Sequence, residues 1–414
     1  MRTKTLLKAL GPGLLYAGAA VGVSHLVQST RAGADFGFDL IPILIIANIL
    51  KYPFFEFGPR YAGATGQSLL KGYEKIGSWA VALFSGITLL TMFAIVAAVL
   101  MVTAGLIGFV FKLSLNPLYI SIIILAVSAT ILIIGRYKLL DSVIKYVILI
   151  LALSTIFAVF SAFSTAPPEQ ILVENFSFAR KADILFLIAF IGWMPAPVDV
   201  SVWHSLWSEA KNKTASEKVT MKGGLMDFKI GYIGTAFIAL FFLTLGALVM
   251  HDTTGELSSK GVKFSAQLVE MYTSSIGQWA YPVIAIAAVA TMFSTTMAVV
   301  DAYPRVLTPL TEYFVPKSKR HNNKLYWVWM AITTVGTLIL IGYLSNTMGF
   351  MVDLATTLSF VTAPVVAFLN HKVVTGKDFP EQHKPGRGLR TYSWIGIWFL
   401  SIFSVLYIVY VLIY

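Results

Sequence analysis

Cysteine is absent from all 414 residues. Its absence excludes disulfides and thiolate metal ligands, and redox argument therefore leaves the compartment open. Charge is also scarce, with Asp, Glu, Lys and Arg making up 12% of the chain against roughly 25% in a soluble domain. There is no Walker-type phosphate loop, no His-Glu-x-x-His zinc pair and no Gly-x-Ser-x-Gly elbow. No set of nucleophile, base and oxyanion donors can be assembled from motifs, so neither an enzyme nor a bound cofactor is expected. Any transport would have to run on an ion gradient.

What is present is apolar. Hydrophobic residues make up 57% of the chain, against about 45–50% in soluble domains, and they fall in long blocks without the alternation of a transmembrane barrel. The expected fold is an all-α integral membrane protein with helices of about 20 residues. Apolar length and turn signals predict eleven transmembrane helices, over 12–31, 39–63, 77–111, 117–135, 139–163, 183–207, 227–250, 273–303, 325–344, 347–370 and 392–413. Arg2, Lys4 and Lys8 before an apolar run imitate a signal peptide, but ten similar runs follow, so this run is read as the first span.

The net charge of +11 sits in short loops, which points to the bilayer as partner and away from nucleic acid. Basic residues precede the first span and follow every even-numbered one. They are Lys71 and Lys75, then Arg136 and Lys138, then Lys211, Lys213, Lys218 and Lys222. Next come Arg305, Lys317, Lys319 and Arg320, and finally Lys372, Lys377, Lys384, Arg387 and Arg390. The positive-inside bias then sets the N-terminus in the cytoplasm and the C-terminus outside, with a bacterial inner (plasma) membrane as the expected location.

Phe190 to His204 organises the rest. The apolar run there meets Pro195 and Pro197, each lacking an N–H and clashing with the preceding turn, so the helix should break in mid-membrane. Freed backbone at that depth needs partners in protein, water or a solute, which marks a cavity lining. A second interrupted stretch, Leu14 to Arg31, holds the corresponding place in the first half. An odd number of spans per half turns the second half over. The chain is thus expected to be one transmembrane domain over 1–414, with five-helix repeats at 10–165 and 181–372 in inverted orientation and an additional helix at 390–414.

Ionisable groups at bilayer depth cost about 2.5 to 3.5 kcal/mol near a helix centre, so they are candidates for function. In span two these are Lys51, Glu56 and Arg60, the last two spaced to pair along one face. They suit a gate or proton path, or simply a lysine that snorkels and a pair near the cytoplasmic boundary. Ser24 and His25 follow Gly22 at the first break, while Met194, Pro197 and Asp199 stand at the second. His25 or His204 suits a coupling proton or a structural hydrogen bond, His204 being expected close to the cytoplasmic surface. Met194 suits a soft metal or a packing gap. Trp193, Trp203 and Trp207 are first of all apolar filler, with the last two fitting an interfacial belt. Asp301 and Asp353, with Ser294, Thr295, Thr296, Thr356 and Thr357, place carboxylates and hydroxyls where coupling ions bind in such folds, although small hydroxyls also join membrane helices.

Gly11-Pro12-Gly13, Arg31-Ala32-Gly33-Ala34-Asp35-Phe36-Gly37, Ala47-Asn48, Thr65-Gly66 and Met194-Pro195 together resemble the Nramp family of divalent metal-ion transporters. The likeness follows roughly ten helices and is strongest in the first 66 residues. It implies a LeuT-type fold and proton-coupled import of a divalent metal ion such as manganese or iron. The chain departs from the family at working positions. Gly22-Val23-Ser24-His25 replaces the metal-binding Asp-Pro-Gly-Asn. Ile95-Val96-Ala97-Ala98 lies where the third helix carries acidic residues, and Met194-Pro195 runs on into Ala196-Pro197-Val198-Asp199 instead of the usual His-Asn.

The first expectation is therefore a secondary transporter of a divalent metal, coupled to protons. His25, Met194 and Asp199 would hold the ion, with Gly22, Ser24 and Pro197 completing the site. Lys51, Glu56, Arg60, His204, Asp301 and Asp353 would serve coupling or gating. The alternative is a transporter of a non-metal small solute or anion on the same fold, since a divalent ion wants anionic oxygen that Gly22 does not offer. A sensor that kept the fold without turnover is a third reading.

Overall fold

The computed structural model describes residues 12–135, 137–165, 176–214, 220–251, 257–344 and 347–413. Arg2, Lys4, Lys8, Gly11, Arg136 and Lys218 lie outside the described residues. Within them the chain is helical. The first stretch contains α1 (Pro12–Ala20), a π-helical segment (Ser24–Ser29) and α2 (Thr30–Phe36), followed by α3 (Ile41–Thr65), α4 (Leu69–Ile76) and α5 (Ser78–Val110). Next come α6 (Pro117–Ile133), α7 (Tyr137–Thr165), α8 (Lys181–Trp193), α9 (Val200–Thr214), α10 (Met221–Val249) and α11 (Gly261–Ile276). The chain closes with α12 (Tyr281–Phe314), α13 (Asn322–Leu344), α14 (Met348–Thr375) and α15 (Arg387–Ile413).

Seven helices among the described residues are long and apolar enough to cross a membrane: α3, α5, α10, α12, α13, α14 and α15. With large hydrophobics such as Leu90, Ile286 and Trp398 left on their outer faces, they make this an integral membrane protein. Both interruptions are seen. Helix α1 stops at Ala20 and α8 at Trp193, and residues 194–199 run non-helically before α9 begins. Two elements were not expected. Helices α4 and α11 occupy stretches read as connections, and the predicted start of the eighth span at 273 falls inside α11. The chain turns at Gly277 (φ 110°) and starts α12 only at Tyr281. The end of α3 matches its sequence signal, since Gly66 takes φ 71° and its N–H caps Ala62 O at 2.8 Å.

The interrupted helices are held in the middle of the molecule. Helix α10 packs along α1, α2 and α3, while α9 lies against α3 and α1. Close approach is possible because Gly58 of α3 meets the Ser201 carbonyl of α9, where a Cβ would sit 2.3 Å from that oxygen. An aromatic cluster of Tyr16, Phe55, Phe228 and Tyr232 fills the junction of α1, α3 and α10, with Tyr16 and Tyr232 stacked at 6.0 Å.

Candidate functional site between two interrupted helices

Backbone groups at the two breaks find partners in side chains, some from the next turn of the same stretch and some from other helices. At the first, Thr295 Oγ1 of α12 donates to Gly18 O at 3.0 Å, and Ser24 Oγ donates to Ala20 O at 2.5 Å. Gly22 lies so close to Thr295 that a Cβ there would fall 2.6 Å from its hydroxyl. At the second, the helical donor for Ile191 O would be the nitrogen of Pro195, which carries no hydrogen. Met194 N–H reaches that oxygen only at 3.3 Å, and Lys51 adds the shorter bond: its ammonium donates to Ile191 O at 2.5 Å and to Gly192 O at 2.9 Å. Ser201 Oγ donates to Val198 O at 2.6 Å where α9 starts.

Between the breaks lies a cavity of about 20 Å³, room for about one water molecule. Ser24, Trp193, Pro197, Trp203 and Thr295 line it together with Ala19, Ile95 and Val99. Ile95 and Val99 bring the apolar face of α5 to the wall, so the departure at Ile95-Val96-Ala97-Ala98 reaches the cavity itself.

The remaining candidates lie around this centre. His25 is fully buried, with Nδ1 2.8 Å from Ser24 Oγ and Nε2 2.9 Å from Thr235 O, so both ring nitrogens are engaged. Met194 is fully buried and Asp199 is 9% exposed, and the cavity lining includes neither. Among the described residues no group of three His, Cys, Asp or Glu is arranged to hold a metal ion. Glu56 and Arg60 pair at 2.7 Å, as their spacing predicts, and Arg60 also donates to His383 O at 2.8 Å. Asp353 pairs with Arg31 at 2.9 Å, tying α14 to α2. Asp301 is held by Arg305 at 2.7 Å and by the Tyr326 hydroxyl at 2.7 Å.

Two expectations are corrected. His204 does not approach the surface: it is 1% exposed, packed between Tyr16 and Phe228, and among the described residues neither ring nitrogen has a hydrogen-bond partner. It faces a crevice lined by Ser208, Asn212, Thr220 and Asp227. Trp203 and Trp207 form no interfacial belt, since both are buried and Trp203 packs against Tyr303 of α12. The reason is shared: α9 is enclosed by α1, α3, α4 and α12, so its first turns belong to the core. Sequence reasoning missed Ala19, Ile95 and Val99 as lining residues, because small and branched apolar side chains carry no signal that separates a cavity wall from ordinary packing.

The family model for natural resistance-associated macrophage protein-like (Nramp) sequences matches residues 13–410. An uncharacterised protein of Pasteurella multocida (strain Pm70) is 38% identical over 409 residues, covering 97% of this chain and 92% of that protein. Among solved structures, the manganese transporter of Eremococcus coleocola superposes with a TM-score of 0.71 at 14% identity, covering 97% of this chain and 86% of the other. Mhp1, a nucleobase-cation-symport-1 family transporter with bromovinylhydantoin bound, gives a TM-score of 0.60 at 14% identity, covering 96% and 92%. At these identities the structural likeness shows the fold, a LeuT-type arrangement. The match along nearly the whole sequence decides the family: this chain belongs to the Nramp family of membrane proteins.

Proposed function

We propose that the chain is a secondary active transporter moving a divalent metal cation, coupled to protons, through a midplane site between the two interrupted helices. The carrying observation is that both breaks open onto one cavity, with Ser24 from the first and Pro197 from the second in its wall. Family membership and the fold shared with a manganese transporter support the metal as cargo. In this reading residues 10–165 and 181–372 are the inverted repeats of an eleven-span protein and 390–414 is an added helix. The N-terminus is cytoplasmic and the C-terminus outside, in a bacterial inner membrane. Gly22, Ser24 and Pro197 supply hydroxyl and main-chain oxygen. His25, Met194 and Asp199 join as metal donors when the site rearranges and His25 leaves Thr235 O. Lys51, Glu56, Arg60, His204, Asp301 and Asp353 serve coupling or gating.

One observation favours a second reading, a non-metal small solute or anion: the cavity lining holds hydroxyls, indoles and apolar groups but no carboxylate, imidazole or thioether. A divalent cation surrenders hydration there with little anionic oxygen in return. Calorimetric titration of the purified protein with manganese separates the two readings. The metal reading expects heat in wild type that Asp199→Ala and His25→Ala both remove. No heat in wild type overturns it in favour of the other solute.

A further inference from the structure

Lys51 is fully buried and ranks among the largest completely enclosed side chains. Among the described residues it forms no ion pair, and the carboxylate nearest in sequence, Glu56, is taken by Arg60. Its charge is met by peptide oxygens at one place, Ile191 O and Gly192 O in the last turn of α8. That turn is the negative end of a helix, and its carbonyls have lost their regular helical donors for two separate reasons, with Ile191 O keeping a single 3.3 Å bond from Met194 N–H. Pro195 has no N–H, and the non-helical path from Met194 carries the nitrogen of Ala196 out of range as a helical partner of Gly192 O. Two convergent carbonyls at a severed helix C-terminus are the ligands that a monovalent cation uses in discontinuous membrane helices.

We propose that Lys51 is a cation built into the fold: its ammonium fills a monovalent-cation site at the severed end of α8, so that end needs no free sodium or other ion. The lysine reaches this site across 140 residues of sequence from α3. It thereby joins a continuous helix to the first half of an interrupted one. Its role is positioning, since it touches the helix end and does not line the central cavity, and any part it takes in gating is exerted by fixing that end. The inference holds whichever cargo the cavity takes.

The ligand class that the vacated position would accept is a small primary ammonium ion, compact and with N–H donors. The test uses purified full-length Lys51→Ala, with Lys51→Met beside it to fill the volume without charge. Thermal unfolding is measured in choline, tetramethylammonium, sodium and ethylammonium chlorides at equal ionic strength. Lys51→Ala is expected to melt several degrees below wild type. Ethylammonium should recover at least half of that loss, tetramethylammonium none, and Lys51→Met should respond to neither. Equal effects of ethylammonium and tetramethylammonium on Lys51→Ala overturn the proposal, as does a Lys51→Met protein as stable as wild type. If Lys51→Ala yields no folded protein, growth and purification in ethylammonium is the deciding arm: folded protein there supports the site, and none in ethylammonium alongside a well-folded Lys51→Met refutes it. A protein that passes this test yet gives no heat with manganese loses its metal reading and keeps its internal cation.

Discussion

At the scale of single residues, buried polar groups divide into those whose partners are near in sequence and those whose partners arrive from far away. Asp301 belongs to the first kind: it accepts from Arg305 one turn on, through Nε at 2.9 Å and Nη2 at 2.7 Å, and also from the Tyr326 hydroxyl. Removing its charge leaves a guanidinium and a phenol facing a neutral amide. Because Arg305 is 38% exposed on its side chain, water takes up part of the loss, and Asp301→Asn is expected to cost about 2 kcal/mol, readable in thermal unfolding of the detergent-solubilised protein. His25 belongs to the second kind, and His25→Gln should unfold less readily than His25→Ala, since an amide can still reach either Ser24 or Thr235 O where a methyl group leaves both unmet, a gap of about 1 kcal/mol. The spacing of Glu56 and Arg60 made their pairing legible in the sequence. The carbonyl partners of Lys51 were illegible, because nothing local tells a lysine which helix end it will meet. His204 and Trp207 were misplaced for a similar reason: hydropathy shows the chain turning polar beyond Trp207 but not how deeply the start of α9 is enclosed.

Among the elements, the interruptions follow from local chemistry to different degrees. Pro195 and Pro197 announce the second break without help from tertiary structure. The first has no proline, and Gly22 alone would permit a continuous helix; there the chain bends, and hydroxyls of Ser24 and Thr295 accompany the bend by taking Ala20 O and Gly18 O. Helices α4 and α11 went unread because they are short and amphipathic, and a search for spanning length passes over them. Contact between elements depends on small residues in the same way. Gly58→Ala puts a methyl group 2.3 Å from Ser201 O, and backbone cannot swing aside as a side chain can. Separation of α3 from α9 is expected, with a loss of about 1–3 kcal/mol and a lower melting temperature. A variant that melts with wild type would show that the two helices are free to part at no cost.

For the whole molecule, the basic loops predict a sidedness for the helices, and the missing cysteines make it testable. A single cysteine introduced at Gln278 is expected to react with an impermeant maleimide on intact cells, whereas one at Lys319 should react only after the membrane is opened. The reverse pattern would invert the proposed topology. The volume between the breaks, about 20 Å³, carries a further consequence. An ion entering so narrow a chamber must leave nearly its entire aqueous shell outside, or the surrounding helices must first draw apart. On the metal reading the first course places the cost of passage in desolvation rather than in contact with the wall, so magnesium, which dehydrates reluctantly, should then cross more slowly than manganese and with a steeper dependence on temperature.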